Sequence, residues 1–114
     1  MKITKTRKTE IYLITLYQTS LQCGDSEEIK NAKKAIALVG FVFRLLNAFT
    51  EENHTKIIRQ LYFSKNNILT LGIQSVSKKV YMSERTLYFY RQKYCEIVDM
   101  VLNEYGAIHE MFAV

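Results

Sequence analysis

The chain has 114 residues, enough for one domain around one core. Hydrophobic residues make up 48% of it, which excludes a disordered chain, and the lack of proline with only four glycines argues against many short strands joined by turns. The net charge is +5, and its distribution is uneven: residues 75–94 carry +4, the first ten carry +3 and the last twenty carry −4. Such segregation is the footprint of a polyanion site at one face, with other surfaces kept away from it.

The longest apolar run, residues 35–43, is too short to span a bilayer. The basic start is not followed by an apolar stretch of signal-peptide type. A cytoplasmic location with no membrane partner is therefore expected. Cys23 and Cys95 are far apart, so reduced thiols are expected rather than a disulfide or a metal knuckle.

The periodicity predicts an all-α domain of about five helices occupying residues 1–114. A first helix is expected over 6–22, where Ile11, Leu13, Ile14, Leu16, Tyr17 and Leu21 recur at helical steps. The cluster Lys2, Lys5, Arg7 and Lys8 reads either as an arm along a DNA backbone or as a disordered basic start. Gly24, Asp25 and Ser26 stop this helix and start the next, expected over 27–49 with Ser26 or Asp25 as its N-cap. Its Lys30, Lys33 and Lys34 read as a solvated face. Its second half is apolar nearly all round, which marks a buried helix or a partner surface.

Thr50 is expected to cap a third helix whose apolar face is Ile57, Ile58, Leu61 and Tyr62. Residues 64–70 read as a loop and 72–80 as a short fourth helix. Tyr81 and Met82 make a tight turn, and Ser83 caps a long last helix ending near Tyr105. Gly106 supplies the stop, and residues 106–114 form a tail.

Residues 76–94 fit a helix-turn-helix. Val76, Val80, Met82, Leu87 and Tyr90 occupy its apolar places, Ser77 is the small residue at the crossing, and Ser83 is the cap. Tyr81 stands where many such units have glycine, which predicts a turn without left-handed backbone at that residue.

Once Leu87, Tyr90, Tyr94, Ile97 and Val98 are assigned inward, Glu84, Arg85, Tyr88, Phe89, Gln92 and Lys93 are left facing outward. Arg85 and Gln92 have the bidentate donors that read guanine and adenine edges. Lys78, Lys79, Arg91 and Lys93 suit phosphates, and the hydroxyls of Ser83 and Thr86 can bond them. Tyr88 and Phe89 suit thymine methyls, sugars or a protein partner. An all-aromatic turn cannot face wholly outward, so Phe89 is open to either side.

No catalytic, metal or cofactor site is expected. His54 and His109 are far apart, with no cysteine or carboxylate pair at ligand or catalytic spacing. His54 reads as a surface histidine. There is no glycine-rich phosphate loop.

Two stretches carry a family resemblance. The first is Ile57-Ile58-Arg59-Gln60-Leu61-Tyr62 with 76–80, and the second is Ser83-Glu84-Arg85-Thr86-Leu87-Tyr88-Phe89-Tyr90-Arg91-Gln92-Lys93-Tyr94. From residue 50 onward the chain resembles the fourth region of bacterial sigma factors. It is more similar to the ArpU/RinA-type regulators of phages and prophages. The resemblance implies a sigma-like regulator in a bacterial host, bound to double-stranded DNA upstream of late or packaging operons, with host RNA polymerase as a further partner. It implies DNA-facing roles for Arg85, Thr86, Tyr88, Phe89 and Arg91. The alternative expectation is a packaging or assembly protein, similar to a small terminase subunit, using the same unit. A single recognition helix buries little surface, so a homodimer is expected. Residues 36–49, or the last helix beyond Tyr94, are dimer-face candidates unless both are core.

Overall fold

The computed structural model describes the backbone of residues 5–112 and the side chains of residues 5–104. Within them the fold is all-α, with six helices and no strand. None is long and apolar enough to cross a membrane.

Helix α1 spans Lys5–Ser20. It already contains Lys5, Arg7 and Lys8, so these three belong to a helix rather than to an arm or a disordered start. Lys2 lies outside the described residues. Thr9, Glu10, Leu13 and Ile14 form the buried side of α1, whereas Ile11 and Leu21 are exposed.

Helix α2 spans Glu27–Phe49, as its cap predicts: the Ser26 hydroxyl accepts from the Ile29 N–H at 3.2 Å. Ile29, Ala32, Ala35, Val39 and Phe43 are its buried side.

Helix α3 spans His54–Leu61 and is capped by Asn53, not by Thr50. The Asn53 side chain accepts from the Lys56 N–H at 3.1 Å. Asn47 reaches across from α2 to accept from the His54 N–H at 2.6 Å. Thr50 instead terminates α2, its hydroxyl donating to the Leu46 carbonyl at 3.0 Å.

The stretch expected as a loop holds a sixth helix, α4, at Ile68–Leu71. A reciprocal capping box stabilises this single turn: Asn67 accepts from the Leu69 N–H, and the Thr70 hydroxyl accepts from the Asn67 N–H. Gly72, with φ of 84°, then lets the chain turn directly into α5 at Ile73–Lys79.

Helix α6 spans Glu84–Phe112 and runs through Gly106 without stopping, contrary to the expected tail. Its 29 residues extend about 43 Å. That is close to the 47 Å long axis of the molecule, so α6 sets its length. It packs against α1, α2 and α5. The core where they meet includes Leu13, Val39, Phe43, Ile58, Leu61, Tyr62, Val76, Leu87, Tyr94 and Val98.

Candidate nucleic-acid interface

The connection from α5 to α6 occupies residues 80–83. The Met82 N–H donates to the Ser77 carbonyl at 3.0 Å, and the Tyr81 N–H to the Lys78 carbonyl at 3.4 Å. This pair of bonds is a Schellman motif, which requires left-handed backbone at the residue after the cap. That residue is Tyr81, with φ of 57°. The expectation of a turn without left-handed backbone is thus corrected: the backbone takes the glycine conformation while carrying a tyrosine. Tyr81 is 87% exposed, with the Lys56 ammonium 5.7 Å from its ring centroid. Ser77 is buried in α5.

Ser83 caps α6. Its hydroxyl accepts from the Thr86 N–H at 3.1 Å and donates to the Thr86 hydroxyl at 2.9 Å. Glu84 follows in the first turn, where a carboxylate complements the helix dipole.

From this start α6 divides lengthwise. Its inner side carries Leu87, Tyr94, Cys95 and Val98, all buried. Its outer side carries Glu84, Arg85, Thr86, Tyr88, Phe89 and Lys93, all exposed. Lys78 and Lys79 are exposed at the end of α5 beside it. Phe89 therefore faces outward, at 58% exposure, and its ring meets Tyr88 edge-on with centroids 6.2 Å apart. Gln92 is half-buried, and its amide donates to the Tyr88 hydroxyl at 3.2 Å. Thr86, Phe89, Tyr90 and Lys93 line a shallow open cleft on this side.

Arg91 requires a correction. Its guanidinium turns inward and takes both oxygens of Glu10 on α1, with Nη2–Oε1 at 2.6 Å and Nε–Oε2 at 2.7 Å. Glu10 is fully buried, and the Tyr62 hydroxyl donates to its Oε2 at 2.6 Å. Hydrogen bonding to Glu10 outweighs burial and holds Arg91 in its charged form. Arg91 is a clamp between α1 and α6, not a free phosphate contact. Cys95 closes the same cluster, its sulfur 3.7 Å from the Tyr62 hydroxyl. Burial pushes its thiol up to about 12, so it stays protonated and unreactive at neutral pH.

A second clamp ties α6 to α3, and it involves a residue expected at the surface. His54 is buried. The Thr50 hydroxyl gives its proton to Leu46, so it accepts from His54 Nε2–H at 2.8 Å. His54 Nδ1 then accepts from the Tyr94 hydroxyl at 2.6 Å. Burial lowers the His54 pKa, Glu52 opposes that shift and Lys93 adds to it. Burial likewise raises the pKa of Tyr94. Tyr94 also packs edge-on against Phe43 on α2 at 4.9 Å. The outer face of α6 is thus presented by a helix tied to α1 and to α3, which limits the freedom a ligand would have to remove.

The supporting residues Glu10, Asn47, His54 and Tyr62 are the part that sequence reasoning missed. Comparison with protein-family models, curated proteins and solved structures gave no match.

Proposed function

We propose that the protein is a sequence-specific DNA-binding regulator of transcription that enters the major groove with the start of α6. The observation that carries this reading is the two-sided character of that helix. Residues 84–93 expose Arg85, Thr86, Tyr88, Phe89 and Lys93, while Leu87, Arg91 and Tyr94 lock the helix to the body. Arg85 is two residues past the cap, where a recognition helix makes its base contacts. Its fork can bond a guanine edge bidentately. Tyr88 and Phe89 offer apolar surface to thymine methyls or sugars one turn further on. Lys78, Lys79 and Lys93 provide cations for phosphates, and Ser83 provides a hydroxyl. The similarity of residues 83–94 to the last helix of ArpU/RinA-type phage regulators supports a role at late promoters, with host RNA polymerase nearby.

Incubating the purified protein with a pool of random-sequence duplexes, and sequencing those retained, tests the proposal. A shared motif containing a guanine step beside thymines is the expected result. A retained pool as random as the input contradicts sequence-specific binding.

A further inference from the structure

Among the described residues, Tyr81 is the one non-glycine residue with positive φ, at 57°. The Schellman motif between α5 and α6 requires that backbone, and glycine adopts it without strain. A bulky side chain there is an outlier that something else must offset. Burial does not offset it, because Tyr81 is 87% exposed. The Lys56 ammonium lies 5.7 Å from the ring centroid, but Lys56 is exposed as well. A cation–ring contact in water recovers less than the left-handed backbone costs. The fold thus holds a strained aromatic residue at its surface without a gain in stability, and such strain gathers where a ligand is met.

Place and charge select the ligand. Tyr81 stands two residues before Ser83, the cap of α6, at the end of the helix that faces the groove. The charged residues within five positions of it are Lys78, Lys79, Glu84 and Arg85, and Lys56 joins them from α3. All five are exposed. Four cations against one carboxylate favour an anion, and the α6 dipole partly offsets Glu84. An α-helix with its side chains is about 10–12 Å across and the major groove is about 12 Å wide, so a helix in the groove fills it from wall to wall. Residues just before its start then meet the sugar–phosphate backbone rather than base edges. A tyrosine hydroxyl on an exposed ring is a donor suited to a phosphate oxygen at that wall.

Resting on the DNA-binding reading, we propose that Tyr81 is a further DNA-contact residue, its hydroxyl donating to a backbone phosphate beside the groove that α6 enters. Lys56 restrains the ring from the α3 side. A phosphate contact carries no base information, so it adds affinity without adding discrimination. Glycine at this position would give a more stable protein and a weaker DNA binder, which accounts for the tyrosine.

Fluorescence anisotropy with the full chain tests the contact, on the duplex enriched from the random pool and on a scrambled duplex, at one low salt concentration. The wild type is compared with Tyr81→Phe and Tyr81→Gly. Tyr81→Phe keeps the ring, the backbone and the Lys56 contact and removes the hydroxyl alone, so a merely structural role would leave its binding unchanged. It is expected to bind both duplexes about tenfold more weakly, the loss of one hydrogen bond to a charged acceptor, and to unfold at the wild-type urea concentration. Tyr81→Gly is expected to bind at least as weakly while unfolding at higher urea. In both variants the ratio of affinities for the two duplexes should keep its wild-type value. Tyr81→Phe binding as tightly as the wild type overturns the contact and leaves the DNA-binding reading standing. A loss confined to the enriched duplex overturns it in the same way. A wild type that binds neither duplex overturns the contact together with the reading it rests on.

Discussion

Three hydrogen bonds converge on the buried carboxyl group of Glu10, two from Arg91 and one from Tyr62. Removing one member of such a group strands the others away from water, which costs far more than the pair is worth intact. Arg91→Ala is therefore expected to lower stability by about 3–5 kcal/mol in urea denaturation followed by circular dichroism. Replacing both partners by apolar residues, as in Glu10→Leu with Arg91→Met, is expected to recover most of that loss. His54 gives a pH prediction with a definite sign. Burial lowers its folded pKa below the unfolded value of 6.5, so the folded state favours the neutral ring. The contribution is present above pH 6.5 and is lost as pH falls through the folded value. The wild type should lose thermal stability between pH 7 and pH 5 more steeply than His54→Gln, and equal slopes would remove the clamp from the account. Neither clamp was legible in the sequence. Arg91 stands among cations and reads as one more phosphate contact, and its true partner lies 81 positions away. His54 follows two glutamates and reads as exposed, because nothing local announces that the Tyr94 hydroxyl comes to meet it.

Helix boundaries follow from caps, and two caps around α6 carry measurable energy. Tyr81 occupies the left-handed position of the Schellman motif, a conformation that costs an ordinary L-residue about 1–2 kcal/mol. Glycine escapes that strain but loses more backbone freedom on folding. Tyr81→Gly is expected to stabilise the protein by roughly 0.5–1 kcal/mol, read as a rise in melting temperature. Ser83→Ala removes the side-chain acceptor for the Thr86 N–H and is expected to cost about 1 kcal/mol. The cap residues Ser26 and Ser83 were readable in the sequence because an N-cap acts within three or four residues. The start of α3 was not, because Thr50 and Asn53 are both good caps and Asn47 on α2 decides between them. α4 escaped notice because it is a single turn held by its own capping box. The end of α6 escaped because Gly106 permits a stop without imposing one.

The molecule as a whole is one long helix with shorter ones packed along it. The apolar periodicity and lack of proline predict that all-α class directly, since both are properties of the chain alone. The outer residues of α6 were also predictable, because fixing which positions are apolar fixes which are left outside. That division places Arg85 and Arg91, six residues apart on one helix, in opposite roles, one exposed and one bound to Glu10. The measurement that tests this division most directly is fluorescence anisotropy on a selected duplex and a scrambled one, for the wild type and Arg85→Ala, at several salt concentrations. Wild-type binding is expected to be selective, with a logarithm that falls with log salt at a slope of about −3, as expected for Lys78, Lys79 and Lys93 at phosphates. Arg85→Ala should lose about 1–3 kcal/mol of discrimination between the two duplexes while unfolding at the wild-type urea concentration. Equal binding to both duplexes, unchanged by Arg85→Ala, would contradict base reading by α6.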